Sequence, residues 1–146
     1  MKPSEFFNEE QQKNITDAVK VAELNTSGEI RVHIETDCKD DVLDRAAYIF
    51  EKLAIHKTEL RNGVLFYLSI NDRKFAILGD AGINAVTPDN FWEEIKETVL
   101  SHFKKGEFDT GLSKGIKMAG EALKKHFPYQ KQDVNELSDE ISFNDK

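Results

Sequence analysis

Apolar residues recur at helical spacing from Ser4 to about Leu24, where Phe7, Ile15, Ala18, Val19 and Ala22 stand between charged and amide residues. This pattern predicts an amphipathic helix. Asn25, Thr26, Ser27 and Gly28 end it, and the period changes to two. Ile30, Val32 and Ile34 alternate with Glu29, Arg31, His33 and Glu35, which predicts a strand with one face in solvent. After the acidic loop Asp37-Cys38-Lys39-Asp40-Asp41, a stripe of Val42, Leu43, Ala46, Ile49, Phe50 and Leu53 restores the helical period, with Asp40 or Asp41 available as N-cap. Asn62-Gly63 interrupts the chain, and Val64-Leu65-Phe66-Tyr67-Leu68 then runs apolar without alternation, as a strand covered on both faces does. Strand, helix and strand in this order imply a right-handed parallel crossover.

The turn Ile70-Asn71-Asp72-Arg73 is too short for another crossover, so Lys74 to Leu78 is expected to return antiparallel as a hairpin partner. Gly79-Asp80-Ala81-Gly82 closes that strand. Thr87-Pro88-Asp89 reads as a helix start, with a capping hydroxyl, proline at the first helical position and an acid in the first turn, and the helix carries Phe91, Trp92, Ile95, Val99 and Phe103 toward the core. A last helix follows on Leu112, Ile116, Ala119 and Leu123, with Gly111 and Gly115 one turn apart for close approach of another backbone. The expected fold is α/β: a small mixed sheet, made by the crossover and the hairpin, flanked by about four helices. One domain over 1–127 is expected, followed by an acidic tail over 128–146 whose Val134, Leu137, Ile141 and Phe143 could dock.

Composition narrows the function classes. With 146 residues, 39% hydrophobic and ten Phe, the chain can build a core without crosslinks, and the single Cys38 fits a reducing compartment. The first residues carry charged and amide side chains rather than a signal peptide's apolar run, and no stretch approaches bilayer-spanning length, so a cytoplasmic location with no membrane partner is expected. A net charge of −7 with scattered Lys and Arg disfavours nucleic acid, while the same field attracts divalent cations.

Four fragments stand in a fixed order: Ser27-Gly28-Glu29-Ile30, Asn62-Gly63-Val64-Leu65, Asp72-Arg73-Lys74 and Gly79-x-x-Gly82, followed by Phe103, Gly106, Gly111 and Gly115. Over roughly residues 5 to 127 this set resembles the TPM domain, shared by a thylakoid-lumen phosphatase, a nematode receptor modulator and many bacterial proteins. The resemblance implies a mixed sheet flanked by helices and a groove between loops at one sheet end, where relatives are associated with calcium or with phosphatase activity. Two features depart from it. Relatives are commonly exported or anchored, and the glutamate usual after the paired glycines is Asn84 here.

Two groups of oxygen-bearing residues are candidate sites for the hard ligands that Ca2+, or alternatively Mg2+, prefers. At one sheet end stand Glu59, Asn62, Asp80 and Asp89 with the loop glycines Gly63, Gly79 and Gly82; at the other stand Asp37, Asp40, Asp41 and Asp72. The first group is preferred because the family-like fragments gather there. The bland reading of both is helix capping and turn formation. Cys38 and Arg45 are one residue too far apart for a C-x5-R phosphatase loop, and no D-x-D ends an apolar strand, which leaves metal-assisted hydrolysis as the enzymatic alternative. His33, on the solvent face of its strand, and His56, His102 and His126, near helix ends, read as solvated or capping residues. The expected function is thus a TPM-like module binding a divalent cation. The alternatives are a metal-dependent phosphomonoester hydrolase in the same groove, or an interaction module that engages a protein partner through the tail from Val134 to Phe143.

Overall fold

The computed structural model describes residues 2–129 and 137–144. The N-terminal helical pattern is split. A short α1 (Pro3–Phe6) precedes α2 (Glu9–Glu23), because Phe7 turns extended into the core and Asn8 starts α2 with a reciprocal capping box to Gln11. β1 (Glu29–Glu35) leads through α3 (Val42–Lys52), capped by Asp41, and a single 3₁₀ turn to β2 (Gly63–Ser69). β3 (Lys74–Gly79) is followed by a one-turn α4 (Ala81–Asn84), then α5 (Phe91–Phe103), α6 (Phe108–His126) and β4 (Ser142–Asn144).

The strands lie in the order β3-β2-β1-β4. β1 and β2 are parallel from Glu29 opposite Gly63 to Glu35 opposite Ser69, as the crossover requires, and β3 returns antiparallel with Val64 opposite Gly79. β4 adds a fourth strand, parallel to β1, with His33 opposite Ser142. The tail therefore docks where it is described; Val134 lies outside the described residues.

Helices cover both faces of the sheet. Ile30, Val32 and Ile34 of β1 and Val64, Phe66 and Leu68 of β2 pack against α2, α5 and α6 in the larger core. Gly115 permits the close approach of α5 and α6: a Cβ there would stand 2.5 Å from Val99 Cγ2. The other face meets α3 through Leu65, Tyr67, Ala46 and Ile49. This second layer corrects the expected solvent face of β1. Glu29, His33 and Glu35 are all buried, because α3 and the C-terminal segment lie over them. The start at Thr87-Pro88 is also corrected. The Thr87 hydroxyl donates back to the Ile83 carbonyl (3.0 Å), and helical structure begins at Phe91. Phe91, Trp92 and Phe103 are half-buried against the core.

Candidate functional site

At the sheet end that gathers the starts of β1 and β2 with the end of β3, Asp80, Asn62 and Asn84 have partners within the chain. The Asp80 carboxylate accepts from Arg61 Nε (2.6 Å) and Nη2 (2.8 Å), and also from the Ala81 amide (2.8 Å), so it both pairs with a guanidinium and caps α4. Asn62 is buried and donates to Ser27 Oγ (3.4 Å). Gly82 is required by packing: its amide donates to the Arg61 carbonyl (2.8 Å), and a Cβ would collide with the Leu60 carbonyl and lie 2.6 Å from that of Arg61. Asn84 donates to the Gly79 carbonyl (2.8 Å) and accepts from Trp92 Nε1 (2.7 Å), a bridge that uses both ends of the amide. Glu59 and Asp89 are exposed. The structure thus brings Asn62, Asp80, Gly63, Gly79 and Gly82 to one end of the sheet, with Arg61 as the cation already paired to Asp80.

The opposite end has the same character. Asp72 accepts from the Cys38 amide (2.9 Å) and from the Ser69 hydroxyl, Asp37 accepts from Asn71 (3.2 Å), and Asp41 caps α3 through the Leu43 and Asp44 amides. Lys74 Nζ donates to the carbonyls of Cys38 (3.1 Å) and Asp40 (3.4 Å). An ammonium therefore already takes up these two loop carbonyls. Among the described residues, no three His, Cys, Asp or Glu side chains converge as a ready metal-ligand group.

Two further carboxyl sites lie along β1, and both are completed by the C-terminal segment. In the first, Glu35 accepts from Arg45 Nε (3.0 Å) and Nη2 (2.5 Å), Tyr67 Oη (2.5 Å), His33 Nε2 (3.2 Å) and Asn144 Nδ2 (3.2 Å). Burial alone would raise the pKa of this acid, but His33, Arg45, Tyr67 and Asn144 together hold it well below the usual carboxylate range. Burial, reinforced by the Glu35 carboxylate, pushes the Tyr67 phenol up.

In the second site, Glu23 at the end of α2 accepts from the Ile30 amide (2.8 Å) on the edge of β1 and shares a carboxyl–carboxyl hydrogen bond with Asp139. Burial first, then the Asp139 carboxyl and the nearby charges of Asp139 and Glu29, push its pKa up to about 9 against the opposing Ile30 amide. Glu29, also buried, accepts from the Leu137 amide (2.6 Å), and Arg31 Nη1 donates to the Ser138 carbonyl (3.1 Å). Sequence reasoning missed both sites. Alternation placed Glu29, His33 and Glu35 together on one face, but nothing local shows that a segment more than a hundred residues away closes over them.

Helices on both faces of a mixed sheet, with loops gathered at its two ends, define an α/β module of the TPM type. A family model described as TPM domain matches residues 1–122, and the chain belongs to this family. It is similar to the solution structure of BA42 from the psychrophilic bacterium Bizionia argentinensis, with 48% identity, 94% of this chain and 95% of that one covered, and a TM-score of 0.88. The same fold is seen in the N-terminal domain of a protein from P. gingivalis, at 19% identity over 87% of this chain and 84% of that one (TM-score 0.69). It is seen again in the N-terminal domain of cg2496 from Corynebacterium glutamicum, at 11% identity over 81% and 74% (TM-score 0.65). No curated protein matches the sequence. Among the described residues no helix is long and apolar enough to cross a membrane.

Proposed function

We propose that this TPM module binds a divalent cation, calcium or alternatively magnesium, and that the cation bridges Glu23 and Asp139, fastening the C-terminal segment to the edge of β1. The observation that carries this reading is the Glu23–Asp139 carboxyl pair, which is held together by a proton up to about pH 9. Two carboxyls share a site only when a positive charge lies between them or one remains protonated. The loop ends differ in this respect: Arg61 is bound to Asp80, and Lys74 to the carbonyls around Cys38, whereas the Glu23 and Asp139 carboxyls hydrogen-bond to each other, with the Arg31 guanidinium acting on Asp139. A hard cation can displace that proton and recruit the oxygens of the crossing segment as further ligands.

Amide chemical shifts recorded during calcium and magnesium titrations test the reading. Saturable changes at 23, 29–31 and 137–140, weakened at least tenfold in Glu23→Gln, are expected. Changes confined to 59–63 and 79–89 would instead assign binding to the Asn62 and Asp80 groove, and changes at 37–41 and 72 to the opposite loops. Cation-dependent phosphomonoester turnover lost in Asp80→Ala would add the hydrolase activity in that groove. Binding without turnover makes the module non-catalytic toward such esters.

A further inference from the structure

Beyond cation binding, a second constellation on β1 has the geometry of nucleophilic chemistry. Ser142 Oγ lies 2.9 Å from His33 Nδ1, and His33 Nε2 lies 3.2 Å from Glu35 Oε1. An ionised carboxylate can only accept, so Nε2 carries the ring proton and Nδ1 presents a lone pair to the serine hydroxyl. This is the nucleophile–base–acid order of a serine hydrolase, with the two ring nitrogens exchanged relative to the familiar triad. Arg45, Tyr67 and Asn144 fix the acid, and the His33 ring stacks on Tyr67 with centroids 6.1 Å apart. The three residues line a cavity of about 440 Å³ whose wall also includes Ile49, Leu53 and Lys52.

We propose that Ser142, His33 and Glu35 form an acyl-transfer site for small carboxylic esters. Ser142 Oγ attacks the ester carbonyl carbon while its proton passes to His33 Nδ1. The carbon–oxygen bond to the alcohol then breaks, and the departing oxygen takes the proton back from Nδ1. Water repeats the sequence on the acyl-serine, returning the carboxylic acid and free Ser142. Ile49 and Leu53 accept an apolar acyl group, and Lys52 supplies positive charge for the developing oxyanion. Ser142 and His33 act on the reacting atoms, whereas Glu35 and Arg45 are positioning residues.

The test is labelling of the whole chain by a fluorophosphonate, with peptide mass spectrometry to locate the adduct and hydrolysis of p-nitrophenyl acetate and butyrate in parallel. A chelator is present throughout, so the outcome is independent of cation binding. The expected result is one adduct, on Ser142, with label and turnover reduced at least a hundredfold in Ser142→Ala while its amide spectrum stays folded. Ser142→Cys should restore labelling through iodoacetamide only while His33 is intact, so that His33→Gln removes the enhanced reactivity. An unlabelled Ser142 in folded protein, or ester turnover unchanged in Ser142→Ala, overturns the proposal.

Discussion

Glu35, buried at the end of β1, and Glu23, half-buried beside its start, meet opposite fates. Glu35 sits under α3 with a guanidinium, a phenol, an imidazole and an amide aimed at it, and it stays ionised in the core. Glu23 sits beside the start of the strand with one backbone amide and a second carboxyl, and its pKa is pushed up to about 9. Burial opposes charge in both places, and what faces the carboxyl separates them: Glu35 takes two guanidinium nitrogens of Arg45, whereas Glu23 faces a second carboxyl. A carboxylate paired in this way stays charged. A carboxyl pair that shares a proton can exchange it for another cation.

The largest effect should come from removing the cation at the first site. Arg45→Met leaves Glu35 buried beside Tyr67 and His33 without its countercharge, and we expect a loss of about 3–5 kcal/mol in urea unfolding, against a smaller loss for Arg45→Lys. A loss under about 1 kcal/mol would mean that Glu35 is held by the neutral donors instead.

Calcium is expected to come next. At a free concentration a hundred times its Kd it should stabilise the chain by about 2.7 kcal/mol, read as a raised unfolding midpoint that Glu23→Gln does not share.

The pH dependence of the two glutamates should have opposite signs. Glu23 binds a proton in the folded chain between its ordinary value of 4.5 and about 9, where the unfolded chain does not. Stability contributed there is complete below pH 4.5 and is lost as pH rises toward 9. Glu23→Gln should flatten that slope, and calcium should offset it. Glu35 runs the other way: its folded value lies below 4.5, so its contribution is complete above that pH and is lost on acidification. Unfolding midpoints between pH 3 and 9 report both limbs, and a wild-type slope that survives in Glu23→Gln would break the comparison. The smallest effect is expected for Tyr67→Phe, which removes one of five donors to Glu35 at a cost of about 1–2 kcal/mol.

The frame of the fold was legible because its signals are local. The alternation of Ile30, Val32 and Ile34, the unbroken run from Val64 to Leu68 and the Asp41 cap each depend on neighbours within a few residues, and they located β1, β2 and the start of α3. What escaped depends on distant partners. β4 has only three residues, two of them polar, and exists because Phe143 reaches the core while Ser142 and Asn144 meet His33 and Glu35. The acid-rich groups at the sheet ends were visible as sequence, yet Arg61 and Lys74 enter them through three-dimensional placement. Glu23 looked like an ordinary charge at the end of an amphipathic helix, and burial together with Asp139, both brought about by the fold, raises its proton affinity.

The central claim is that a divalent cation replaces the proton between Glu23 and Asp139. Calorimetric titration of calcium at pH 7, repeated in buffers of different ionisation enthalpy, counts the protons released on binding. The account predicts saturable binding that releases about one proton per site, with the release abolished in Glu23→Gln. Saturable binding with no proton released, or with a release unchanged in Glu23→Gln, would contradict it.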